Sequence, residues 1–353
     1  MKIGILTYHR AHNYGAMLQA IATQYVLSKA GHDAFFVDYY PDYHKKRYEL
    51  RKPSLKRLFR HPLAFWRELR LMPNKKKRIE SFLDFQAKYI DPYCRSEKEH
   101  FDSVVYGSDQ IWRKQQPRME YNPIYFGVGL NASKHVSYAA SIDSIPQTDV
   151  DLSSFKQLLQ NLNQITVREN ALRECCKSLG FDADLVIDPT FLMDSDEWDS
   201  LLNLKSCPSE KYAVFYSIRK GAFNKSLMES FCAKRGWSLV EITANPNLED
   251  SCRIISTGSP SDFVRLIRNA EFVFTSSFHG MAFAINYKKQ FLVSTDFAAE
   301  RITSLLDLCG LQNRYIDGAK NIPELDEIDY EMVFSKISVL KDCSKKALLS
   351  MVM

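Results

Sequence analysis

EFVFTSSFHGMAFAINY, residues 271–287, is an apolar run that breaks at Ser276-Ser277, presents His279-Gly280, and resumes as an apolar segment of helical length. Its pattern predicts a strand, a tight turn and a helix. His279 and the free backbone N–H groups around Gly280 then sit at a helix N-terminus, where unsatisfied amides and the helix dipole favour phosphate or carboxylate. A second edge of the same kind lies near the start, where KIGILTY (2–8) runs into HRAHNYGAMLQAIATQYVLSKAGH (9–32). Two such edges predict two α/β halves facing each other across a cleft that handles a small anion.

The 353-residue length suits two domains, since single domains cluster near about 100–150 residues. With 45% apolar and 25% charged residues, the chain is neither disordered nor fibrous. KIGILTY follows Met1 directly, so no signal peptide is expected, and no apolar run is long enough to span a bilayer. Cysteines at 94, 175, 176, 207, 232, 252, 309 and 343 form no CxxC pair, which points to reduced thiols, a cytoplasmic location and no metal site. Residues 45–78 hold fourteen Lys or Arg against Glu49 and Glu68, more than the whole chain's net charge of +5. Leu55, Phe59, Leu63 and Trp66 are interleaved with those cations. Such a segment fits either peripheral contact with an anionic inner membrane leaflet or a solvated helical insertion. No stacking platform accompanies the charge, so nucleic acid is not an expected partner.

Strands are predicted at 2–7, 34–38, 103–106, 135–138, 164–167 and 185–187, and again at 212–218, 238–242, 252–255, 271–275 and 290–294, with helices between them. That alternation predicts α/β architecture with parallel sheets. The expected organisation is an N-terminal α/β domain over 1–195 carrying the 45–78 insertion, a C-terminal α/β domain over 196–330, and a helix over 331–353 that packs back on the first domain. DPTFLM at 188–193 reads as the crossing between them.

The chain resembles the polysaccharide pyruvyl transferases over nearly its whole length, through HNYGAMLQA (12–20), YGSDQIW (106–112), SYAAS (137–141), TVREN (166–170), DPTFLM (188–193) followed by Trp198, and SSFHGMAFAI (276–285). The resemblance implies two Rossmann-like domains facing across a cleft, as in GT-B glycosyltransferases. It also implies transfer of the enolpyruvyl unit of phosphoenolpyruvate to sugar hydroxyls of a surface-polysaccharide precursor, giving a pyruvate ketal and phosphate. Phosphoenolpyruvate is then a co-substrate, and no other cofactor is expected. Family members often continue SYAAS with Phe-Gly, where this chain has Ile142-Asp143, which leaves the acceptor preference open. Rival readings are a nucleotide-sugar glycosyltransferase of the same plan and a non-catalytic glycan-binding protein.

Phosphoenolpyruvate needs fixed cations and amides for its two anionic groups, and a proton at C3 to make C2 electrophilic. His279 is the candidate acid, or else a ligand of the leaving phosphate. Ser276, Ser277 and Gly280 are candidates for the donor phosphate, although a helix cap accounts equally well for the serines. Arg219, at the end of YAVFYSIR (212–219), and Arg168 stand at strand ends where α/β sheets bind ligands. A guanidinium clamps carboxylate or phosphate in two-pronged fashion, and Arg301 is a third donor-side cation. On the acceptor side, Asp109 is a candidate base for sugar hydroxyls or a turn residue. Ser108 adjoins it, and Trp112 reads as a stacking face or a core residue. Asn13 can bond a hydroxyl, and Gly15 permits close approach. His9 and His12 lack a third ligand pattern that would make them a metal pair.

Overall fold

The computed structural model describes the chain apart from residues 116–118, 143, 205–209, 219–222, 245–252, 296–299 and 317–321. Seven strands make the first sheet: β1 (Lys2–Leu6), β2 (Asp33–Val37), β3 (Cys94–Arg95), β4 (Phe101–Tyr106), β5 (Ala132–Ala140), β6 (Gln164–Val167) and β7 (Ala183–Leu185). They are parallel, in the order β3-β2-β1-β4-β5-β6-β7. The second sheet is also parallel, with β8 (Tyr212–Tyr216), β9 (Ser238–Ile242), β10 (Ile254–Ile255), β11 (Phe272–Thr275) and β12 (Gln290–Val293) in the order β10-β9-β8-β11-β12. Each sheet therefore reverses its direction of growth once, between β1 and β4 and between β8 and β11. The carboxyl ends of those pairs are where open α/β sheets bind ligands.

Helices join the strands. In the first sheet's region these are α1 (Tyr14–Lys29), α2 (Asp42–Tyr48), α3 (Leu55–Arg60), α4 (Pro62–Tyr89), α5 (Asp149–Leu159) and α6 (Asn170–Ser178). Then follow α7 (Ser195–Leu202), α8 (Lys225–Ala233), α9 (Pro260–Asn269), α10 (Phe278–Asn286), α11 (Glu300–Cys309) and α12 (Tyr330–Val352). α1 and α10 are each apolar round nearly their whole circumference, and both are buried, as such a pattern requires. They lie where the two sheets' helical layers meet. Tyr14 of α1 stacks on Phe263 of α9 with ring centroids 4.9 Å apart, and one apolar cluster runs from Ile5 and Met17 to Val214, Phe283 and Trp198.

Two expected strands are cut short, and a third was not expected. β7 ends at Leu185 rather than reaching 187, because the Ile187 N–H leaves the sheet and donates to Ser344 Oγ of α12 at 2.9 Å. In 252–255 only Ile254–Ile255 pairs, and residue 252 lies outside the described residues. β3 was invisible to periodicity because two residues show no alternation. The basic segment folds as α2, α3 and the first half of α4, with Leu55, Phe59, Leu63 and Trp66 exposed. α12 lies against β4, β5 and α11. Among the described residues no helix is long and apolar enough to cross a membrane, and the six described cysteines are free.

Candidate active site

Both quoted edges form as strand, turn and helix, and they meet. Asn13 caps α1, its Oδ1 accepting from Ala16 N at 3.1 Å. Ser277 caps α10, its Oγ accepting from Gly280 N at 3.4 Å. Gly15 and His279, in the first turns of these helices, are in contact. A Cβ on Gly15 would lie 2.0 Å from His279 Nδ1 and 2.2 Å from its Cγ, closer than any real contact, so only glycine leaves room for the imidazole. The close approach expected at Gly15 is thus filled by a side chain of the opposite edge. Gly280 has a packing reason too, since a Cβ there would lie 2.3 Å from Thr275 Oγ1.

The other edge of the His279 ring faces a buried charge cluster. His279 Nε2 lies 3.8 Å from Asp188 Oδ2, too far for a hydrogen bond, and it is buried without a partner. Asp188 follows β7, and four donors converge on it. Arg168 Nη1 (2.5 Å) and Ser108 Oγ (3.2 Å) donate to Oδ2, and Thr190 N (3.0 Å) and Oγ1 (2.7 Å) donate to Oδ1. Arg168 Nε also donates to Glu169 Oε1 at 3.3 Å, which accepts from Ser141 Oγ at 2.6 Å. The guanidinium lies 4.7 Å from the ring of Phe278, one residue before His279. Arg168 Nη2 and Glu169 Oε2 are buried and unpartnered.

Burial and charge set the protonation of this cluster. Burial pushes the His279 imidazole below its ordinary value, Asp188 and Asp109 oppose this, and Arg168 and Arg301 add to it. Burial alone would raise the Asp188 carboxyl, but Arg168, His279 and the Thr190 bonds outweigh it and hold it below the usual range. For Glu169 burial wins over Arg168, Ser141 and Arg301, and its carboxyl is raised. The site thus pairs an ionised carboxylate with an imidazole that is neutral at pH 7.

The remaining candidates divide. Asp109 is half-buried at the β1/β4 reversal in a left-handed conformation, φ +71°, with Oδ1 accepting from the following Gln110 N at 2.8 Å. Arg301 is half-buried at the start of α11 and lines a cavity of about 170 Å³ with Arg168, Asp188 and Phe278. Ser276 Oγ holds the end of β8, lying 2.8 Å from Ser217 Oγ and accepting from Ile218 N at 3.2 Å. Arg219 lies outside the described residues. Two acceptor-side expectations are corrected. Trp112 is fully buried, stacked on Phe126 at 5.3 Å and donating Nε1–H to Tyr125 O at 3.1 Å, so no ring face is open to a sugar. Ser108 is fully buried and donates its hydroxyl to Ala139 O (2.9 Å) and Asp188, so it positions the cluster and does not reach an acceptor. Elsewhere, ligand atoms of His9, Asp38 and Cys94 lie within 4.8 Å of one another. Arg10 already bonds both Asp38 and Cys94, so the cation this trio calls for is supplied by the chain.

Asp188 and Glu169 are the members that the sequence reading did not assign. Asp188 was read as a break between halves because proline follows it. The available signal was its place just past β7, at the edge where ligands bind.

Two parallel sheets whose reversal points are brought together helix end to helix end, with a histidine and a buried carboxylate between them, define an open α/β protein of the kind that binds ligands at a sheet edge. Residues 13–295 match the family described as polysaccharide pyruvyl transferase. The chain belongs to that family, a family of transferases of polysaccharide biosynthesis. None of the curated protein sequences compared with it matches. Among solved structures it is similar to E. coli heptosyltransferase WaaC with ADP (13% identity, 96% of this chain and 100% of that one, TM-score 0.41). It is also similar to S. aureus MnaA with UDP (12%, 97% and 88%, 0.44). A third likeness is to the Methanocaldococcus jannaschii UDP-GlcNAc 2-epimerase in complex with UDP-GlcNAc and UDP (11%, 97% and 93%, 0.41).

Proposed function

We propose that the protein transfers the pyruvyl group of phosphoenolpyruvate to a pair of sugar hydroxyls on a surface-polysaccharide precursor, forming a ketal and releasing phosphate. The observation that carries this reading is the position of His279, between the α1 and α10 N-termini with Asp188 behind it. The donor phosphate lies against the first-turn amides beside His279, and Arg168 and Arg301 take the carboxylate. Arrival of these charges raises the imidazole's pKa, so donor binding itself loads the proton. The imidazole then delivers that proton to C3. The C2 cation that forms is attacked by one sugar hydroxyl, whose proton passes to Asp109. The C2–O bond to phosphate then breaks, and the second hydroxyl closes the ring. The second hydroxyl's proton leaves on the phosphate, and the proton on Asp109 returns to the imidazole, replacing the one given to the new methyl group.

The acceptor is a sugar or a lipid-linked oligosaccharide lying along Asn13 and the 107–110 turn. The exposed Leu55, Phe59, Leu63 and Trp66, set among cations, hold the enzyme peripherally on an anionic membrane surface on the cytoplasmic side. Incubation with isotopically labelled phosphoenolpyruvate and candidate glycans tests the reaction. A pyruvate-sized mass gain on the glycan with equimolar phosphate is expected, and phosphate release without labelled glycan contradicts it.

A further inference from the structure

Arg78 of α4 is 7% exposed, yet its hydrogen-bond partners are neutral. Nη1 donates to Tyr14 OH at 2.9 Å and to Ser256 O at 3.0 Å, and the guanidinium lies over the Phe82 and Tyr14 rings at 4.7 and 5.2 Å. No carboxylate among the described residues pairs with it. A buried cation without a counter-ion is costly, unless an anion comes to it.

Arg78 lines a cavity of about 780 Å³ that reaches from the basic segment to Asn13 and Ile218, one at the reversal edge of each sheet. Lys46, Arg47 and Lys52 also line it, and none has a carboxylate partner among the described residues. Its other cations, Arg51, Arg57 and Lys75, share only Glu49 and Glu68, at 3.9, 3.3 and 4.0 Å. A concave wall with this excess of one sign focuses a strong positive potential. The volume falls within the range of roughly 300–1,000 Å³ that holds ligands of cofactor size.

We propose that this cavity binds a diphosphate ester, with its phosphates between Arg78 and the Arg47–Lys52 wall and its sugar directed to Asn13. A monophosphate or a single carboxylate would leave most of these cations unanswered. Two adjacent phosphates offer the forked arginines two acceptor edges and spread over the separation between wall and floor. Only the sugar's direction rests on the pyruvyl-transfer reading; binding of the diphosphate does not. A soluble nucleoside diphosphate sugar and a prenyl diphosphate sugar share this chemistry.

Calorimetric titration of the full-length protein with pyrophosphate in magnesium-free buffer tests the site. Pyrophosphate is expected to bind, and Arg78→Met to weaken it about tenfold or more, the loss of one charge-assisted pair. Arg78 also bridges α4 to α1, so the exposed double variant Arg47→Ser/Lys52→Ser provides a second reading and is expected to weaken binding at least about fivefold with an unchanged circular dichroism spectrum. His279→Ala is expected to keep pyrophosphate affinity while losing phosphoenolpyruvate, which separates the two sites. Absence of binding, or variants within twofold of the natural protein, overturns the proposal and leaves the pyruvyl-transfer reading untouched. Competition by UDP-glucose and by farnesyl diphosphate then tells the sources apart. Displacement by either supports the site and names its source, and displacement by neither overturns it.

Discussion

At Asp188 four donors converge on one buried carboxylate, whereas Arg78, also buried, donates among the described residues to a hydroxyl and a backbone carbonyl and pairs with no carboxylate. The two regions lie on either side of the same pair of helix N-termini. The first is a closed network: Ser108, Thr190 and Arg168 fix Asp188, which stands behind His279. Such an arrangement holds the Asp188 carboxylate in place. The second leaves its charge open, which suits a group that binds and departs. On the two proposals made above, the difference separates a site that positions a proton from one that recruits an anion.

Removing the proton carrier breaks the comparison most severely. His279→Ala is expected to lower the rate of phosphate release about a hundred- to ten-thousand-fold, the usual worth of a placed acid, with little change in urea midpoint. Near-normal turnover would remove His279 from the chemistry. Asp188→Asn strips the closed network of its charge and strands Arg168. A loss of about 3–5 kcal/mol of folding stability is expected for breaking a buried pair, whereas Arg78→Met, which strands no charged partner among the described residues, costs less. Equal losses in urea titration would erase the distinction drawn here. Gly15→Ala pushes a methyl into the His279 ring. About 1–3 kcal/mol of destabilisation is expected from the forced overlap, with turnover falling further than stability explains.

The last prediction concerns pH. Burial, the leading cause for each, lowers His9 to about 3, and His12 and His44 to about 4. Their folded values lie below the unfolded value of about 6.5, so the unfolded chain takes up protons first as pH falls. Their contribution is complete above about pH 6.5 and lost on descending towards about pH 4, at most about 1.4 kcal/mol per group for each pH unit. Urea midpoints at pH 7.5 and pH 5 should show the lower stability at pH 5, and a rise on acidification would contradict the assignment of these rings as neutral in the folded chain.

The strands and helices were legible wherever an apolar run exceeded about four residues, because alternation and helical spacing both need that length to show. Both helix N-termini were legible for the same reason, with Ser277 among the expected caps, whereas Asn13 was read as a hydroxyl ligand and caps α1. Their contact was not: Gly15 and His279 stand far apart in sequence, and nothing local says that one ring fills the space over the other's backbone. Asp188 was hidden by its proline neighbour, and its role depends on Arg168 and His279 arriving from other elements. Trp112 looked like a sugar platform only as long as Phe126 and Phe155, which enclose it, could not be placed. The basic segment's charge was plain in the sequence, but that it walls a cavity ending at Asn13 depends on where α4 crosses α1.

A crystal structure of the protein with phosphoenolpyruvate tests the central claim most directly. The account predicts the phosphate at the first-turn amides beside His279, with the substrate's C3 within reach of the imidazole and its carboxylate at Arg168 or Arg301. Phosphoenolpyruvate bound elsewhere, with the His279 ring still closed between Gly15 and Asp188, would contradict it.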